Sequence, residues 1–341
     1  MLFLFLVFLY FIFLHFLHPD CDIAVHQKYI LWFNEGKIPL MGHFLFFVTV
    51  SIFTFFFQNI NTITFVSCLV LSFMIISKRR ITEKLISTIN DHDQSFSKYY
   101  FGISVLPIFM TNMPTHPPFR GLWPPITWIN STTIAVLPFC ILLFYYSYLY
   151  AEILNVKQIL FLLALSLIII LIKPSYLMNF VLSYPLYMLI LIKNKQVTSK
   201  GFLLSFMIGV MLLLQFIYIY FFIKSDLIQY QNVRTIIAPF SAWNRISSNI
   251  PLSALSWFLL PVIILIFYNK DLLNKKMYVF SPLNFIFSLV FFILMEQVAK
   301  SSNSVLGAVE FLWQLIISLY ILSIVSIAYF INSIKKMDIG R

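Results

Sequence analysis

Residues 19–44 read PDCDIAVHQKYILWFNEGKIPLMGHF and gather Asp20, Asp22, His26, Lys28, Glu35 and His43 in a chain that is only 10% charged. A carboxylate beside a site for a lipid-borne substrate suits a general base that deprotonates an acceptor hydroxyl. Asp20 and Asp22 are two apart and would diverge on a helix, so only one of them need enter a site. Asp22 and His26 are four apart and would share a helical face. His26 and His43 suit orienting the acid or binding substrate. His18, Asp20, Asp22, His26 and His43 are also metal-ligand types, but no HExxH or CxxC spacing accompanies them, so no metal is assigned. A Ser–His–Asp hydrolase is disfavoured because there is no G-x-S-x-G. The plain alternative is a solvated loop whose acids carry no chemistry.

A second set of residues suits a sugar and a phosphate. Residues 114–131, PTHPPFRGLWPPITWINS, carry His116, Arg120, Trp123 and Trp128. The two Trp rings either stack on sugars or belong to the aromatic belt of a membrane interface. Lys173 interrupts an apolar run at IIILIKPSYL, and Arg234, Trp243 and Arg245 follow within residues 224–249. Arg120, Lys173, Arg234 and Arg245 form a scattered cationic set, which a lipid phosphate needs as partners. A lysine within an apolar run either snorkels to the interface or is functional.

These residues are positioned by a chain of 341 residues that is 61% hydrophobic, with 39 Phe. A water-soluble globule needs roughly a quarter of its residues charged, so a soluble domain is excluded. Apolar runs that match a bilayer of about 30 Å lie at about 1–17, 41–57, 62–77, 99–113, 132–150, 158–172, 175–192, 201–223, 250–268, 277–295 and 312–332. The fold class expected is all-α, a polytopic membrane protein forming one transmembrane domain. The net charge of +11 then orients the chain and meets anionic lipid rather than nucleic acid. Lys78-Arg79-Arg80, Lys193 with Lys195 and Lys200, Lys270 with Lys275 and Lys276, and Lys335-Lys336 fall on one face when counted back from the C-terminus. By the positive-inside rule that face is cytoplasmic. The opposite face collects loop 18–61, loop 114–131, Lys173-Pro174 and loops 224–249 and 296–311. It is the expected working face. Cys68 and Cys140 lie in apolar runs and Cys21 in a polar loop, so no disulfide is expected.

The run 41–57 leaves two topologies open. If it spans, there are eleven spans and the opening polar stretch faces the cytoplasm. If it lies on the outer interface, there are ten, with both termini inside. The short QNIN connection and a polar stripe of His43, Ser51, Thr54 and Gln58 favour the interfacial helix.

An opening span, an acid in the first outer loop and then GKIPLMGHFLFF at 36–47 resembles the C-type (GT-C) glycosyltransferases. TWINSTTIAVLPFCILLFY at 127–145 and IKPSYLMNFVLSYP at 172–185 resemble stretches of bacterial membrane proteins of that kind. The resemblance covers residues 1–190 and leaves 191–341 as variable C-terminal helices. It implies about ten spans, N-in and C-in, and an outer-face juxtamembrane helix at 41–57. It implies Asp22, or Asp20, as the catalytic acid of the outer loop, and a second span, 62–77, ending in Lys78-Arg79-Arg80. No clear D-D or D-E pair is present, so the choice between the two acids stays open.

The function expected is inverting transfer of a sugar from an undecaprenyl-phosphate-type carrier to an extracytoplasmic glycan or glycolipid in a bacterial inner membrane. No nucleotide or redox cofactor is required, and no motif supports a divalent cation. The partners are the lipid-linked sugar, the acceptor and the bilayer. Two rivals are an O-antigen-type polymerase, for which loop 224–249 is short, and a flippase of lipid-linked sugars, which would place more charge inside its spans.

Overall fold

The computed structural model describes residues 2–17, 22–41, 44–90, 130–192, 194–223, 233–299 and 310–339. The chain opens with α1 (Leu2–Leu17), α2 (Asp22–Asn34), α3 (Leu45–Phe53) and α4 (Ile60–Ile89). It continues with α5 (Ser131–Tyr150), α6 (Val156–Ile172), α7 (Ser175–Leu191) and α8 (Lys195–Ile217), the last running into one π-helical turn, Tyr218–Phe222. Strand β1 (Val233–Ile237) and the short α9 (Ser241–Ile246) precede α10 (Ile250–Leu272) and α11 (Lys276–Leu294). Strand β2 (Met295–Ala299) and α12 (Glu310–Ile339) complete it.

Six of these helices are long and apolar enough to cross a membrane: α4, α5, α8, α10, α11 and α12. α1, α6 and α7 are apolar but shorter. The expected run at 99–113 lies outside the described residues. Asparagine starts five of the helices by one mechanism, its side-chain oxygen accepting an otherwise orphaned N–H, as Asn249 accepts from Leu252 at the head of α10. Asn59 accepts from Thr62 at 2.9 Å and Asn130 from Thr133 at 2.8 Å. Asn155 closes a capping box with Gln158, and Asn194 accepts from Gln196 and Val197.

Three departures from the sequence reading appear. The loop expected at 18–61 contains a 13-residue helix, α2. It ends in a Schellman motif, with Gly36 at φ +69° and Lys37 N–H donating to the Trp32 carbonyl at 2.8 Å. Among the described residues of the run 41–57, only the nine of α3 are helical. They rise about 14 Å, half the hydrocarbon thickness. The all-α expectation also missed an antiparallel ribbon in which β1 pairs β2, Thr235 opposite Gln297 and Ile236 opposite Glu296. Its strands are some sixty residues apart, and no local periodicity reports such a pairing.

The bundle has two distinct ends. At one, Arg79 of α4 lies over the Phe3 ring at the start of α1, and Lys84 donates to the Tyr146 hydroxyl at 3.2 Å. Lys276 pairs with Glu152, and Asn332 donates to the Ile89 carbonyl at 3.1 Å. At the other end, Thr64 donates to Gln27, Gln215 donates to the Ile170 carbonyl, and Phe240 N–H donates to the Ile293 carbonyl. The described apolar helices alternate in direction from one to the next, except that α4 and α5 run the same way, and Arg79, Lys84 and Lys276 gather at the first end. Between the ends, Phe280 is packed against Phe144 (4.7 Å between ring centroids) and Tyr187 (4.5 Å) in a fully buried aromatic stack.

Candidate functional site

The far end, opposite the basic clusters, holds every expected site residue that the structure describes. Asp22 is the first residue of α2. His26, one turn on, is buried, with its Nδ1 2.5 Å from Ser131 Oγ at the start of α5. Its ring stands edge-on to Phe47 of α3 at 5.4 Å. His26 thus ties α2 to α3 and α5 and sets how the helix that begins at Asp22 sits. The neighbouring Gln27 is also buried and accepts a hydrogen bond from Thr64 of α4 at 3.2 Å. Sequence reasoning passed over Gln27 and Thr64, although a buried amide between apolar helices must find partners. Asp20, His43, His116, Arg120, Trp123 and Trp128 lie outside the described residues, as does Cys21; Cys68 and Cys140 are buried free thiols.

The cationic set divides. Lys173, at the α6–α7 corner, is buried, and its Nζ lies 5.2 Å from the centre of the Trp313 ring of α12. It forms the wall of a cavity of about 500 Å³ between α7, α8 and the ribbon. The polar lining comes from Lys173, Ser175, Gln215, Thr235 and Gln297; the rest is apolar, including Met178 and Phe216. Leu182, Leu213 and Phe216 are also exposed on the outside of the bundle, so the cavity opens sideways between α7 and α8. Arg245 is elsewhere, ion-paired with the buried carboxylate of Glu296 and anchoring α9 to β2. Burial lowers the Arg245 pKa from its ordinary value, although a guanidinium stays charged at neutral pH. Thr235 and Gln297 line the cavity as a cross-strand pair, so strand alternation puts Arg234 and Glu296 on the ribbon's other face. Lys173 thus stands at the cavity without Arg234 and Arg245. Gln215, the amide missed in the apolar run 201–223, and Gln297 stand there instead.

Among the described residues no cluster of His, Cys, Asp or Glu is arranged to hold a metal ion. The cavity geometry suits a molecule with an anionic head and a long apolar tail, entered from the membrane. Mostly helical and carrying six helices fit to cross a bilayer, the chain is an α-helical membrane protein. Comparison with protein-family models, with curated proteins and with solved structures finds no match.

Proposed function

We propose that the protein is an inverting glycosyltransferase of a bacterial inner membrane, taking a sugar from a polyprenyl-phosphate carrier and passing it to an extracytoplasmic glycan or glycolipid. The observation that carries this reading is the laterally open cavity with Lys173 at its polar end. A buried cation in the wall of that cavity is a point of attraction for a lipid phosphate. Gln215, Thr235 and Gln297 supply amide and hydroxyl groups of the kind that bond phosphate and sugar oxygens.

In the step, the acceptor hydroxyl gives its proton to the carboxylate of Asp22, with Asp20 the alternative. The acceptor oxygen bonds to the anomeric carbon as the carbon–oxygen bond to the carrier phosphate breaks. The phosphate leaves with that electron pair, and attack from the face opposite it in a single displacement inverts the anomeric carbon. The reading takes the basic end as cytoplasmic. That gives ten spans with both termini inside, the span at 99–113 included, and α3 lying on the outer surface. The shortness of α3 and the exposed Phe53, Phe55, Phe56 and Phe57 beside it support the interfacial placement.

The test is glycan analysis of cells lacking the protein and of cells carrying variants. Asp22→Asn is expected to reduce the product at least 100-fold with the protein still in the membrane, within the range for loss of a general base. Retention of the product in both Asp20→Asn and Asp22→Asn overturns the reading. So does a Lys28→Cys site labelled only from the cytoplasm.

A further inference from the structure

The cavity at Lys173 is the upper part of something longer. A second cavity of about 400 Å³ shares Val181 and Leu213 with it. A third of about 440 Å³ shares Phe202 with the second. The lining residues recur at one helical period on each side. On α7 they include Met178, Val181, Pro185 and Leu189, with Ile192 just past its end. On α8 they include Phe202, Phe206, Gly209, Leu213 and Phe216, with Ser205 and Val210 beside them. Spacings of three, four and seven mark single faces, so the three cavities form one groove along the α7–α8 seam. Its length is that of α7, 17 residues or about 25 Å, close to the full hydrocarbon thickness. Polar groups mark both ends, Lys173 and Gln215 at one and Lys195, Thr198 and Ser199 at the other, with apolar lining between.

We propose that this groove holds the isoprenoid tail of a polyprenyl phosphate along the whole depth of the membrane, with the phosphate at Lys173. The proposal rests on the lipid-carrier reading above and adds what the tail must be. An ordinary acyl chain fills one leaflet, about half of the roughly 30 Å core. A groove that crosses both leaflets fits a chain longer than that. Its middle is left open by a missing side chain: a methyl built on Gly209 would meet only Val181 Cγ1, at 3.9 Å. Bulk added there enters the groove and leaves the helix packing in place.

The test is binding by the full chain in nanodiscs, followed by native mass spectrometry, with three probes: undecaprenyl phosphate, farnesyl phosphate and dioleoyl phosphatidic acid. The wild type is expected to bind undecaprenyl phosphate at least tenfold tighter than either of the others. Gly209→Leu is expected to bring undecaprenyl phosphate down to the level of farnesyl phosphate, with farnesyl phosphate binding unchanged. Equal binding of the long and short prenyl phosphates by the wild type overturns the groove while leaving the phosphate site at Lys173 standing, and this result needs no variant to fold. Equal binding of dioleoyl phosphatidic acid and undecaprenyl phosphate also overturns the groove. Failure to bind any of the three overturns the lipid-carrier reading and the groove with it.

Discussion

α8 and α12 make an instructive pair. Each offers a 23-residue stretch, of nearly equal apolarity, yet 78% of the α12 window is buried inside the bundle against 28% of that of α8. In water a helix this apolar would have to be buried all round. In a bilayer the lipid is as apolar as a protein core, so hydropathy does not say which face meets protein. The difference lies in small and polar side chains. α12 buries Gln314, Ser318 and Ser326 completely. α8 turns Phe202, Phe206, Leu213 and Leu214 outward. The buried helix organises the core, and the exposed one leaves a seam in which a lipid can lie.

The largest effect should separate core from lipid-facing positions. Phe280→Ala removes a ring enclosed by Phe144, Phe180, Tyr184 and Tyr187, and is expected to cost about 3–5 kcal/mol in equilibrium unfolding in bicelles. Leu214→Ala on the outer face of α8 is expected to stay within about 0.5 kcal/mol. Equal losses for the two would break the comparison.

A smaller effect divides the seam itself. A methyl at Gly201 would stand 2.9 Å from Met188 Cγ, so the lower part of α8 packs closely on α7. Gly201→Leu is expected to lower stability by about 1–3 kcal/mol through overpacking. Gly209→Ala, facing open space, is expected to leave the unfolding midpoint unchanged or slightly raised. The same unfolding measurement checks both. The smallest effect tests a terminus: Asn155→Ala removes the capping box of α6 and is expected to cost about 1 kcal/mol. A loss well above that would mean that Asn155 does more than start the helix.

Much of the helical plan was legible. The bounds expected at 132–150, 158–172, 175–192, 277–295 and 312–332 sit within or beside the observed helices, because apolar length and Asn caps are local properties. The turn at Gly36 is local too, but its helix was missed. α2 mixes His26, Gln27 and Lys28 with apolar residues and so reads as a polar loop. Its partners Thr64 and Ser131 lie 37 and 105 residues away, and that separation hid its role. At the candidate site, Lys173 stood out as a charge in an apolar run. Gln215 did not, since one amide among so many apolar residues carries little weight without its contact to the Ile170 carbonyl.

By itself the sequence determined that this is a helical membrane protein, where most of its apolar helices begin and end, and that its basic clusters share one end. Those follow from hydrophobic length, capping chemistry and charge counted along the chain. Tertiary structure alone decided which helix faces are buried, that Arg245 is bound to Glu296, and that Lys173 stands at a cavity between α7 and α8. It also decided that β1 and β2 meet as a ribbon beside that cavity. The reason is that each of these depends on groups brought together across long separations, and in a bilayer an apolar side chain is equally at home against lipid or protein.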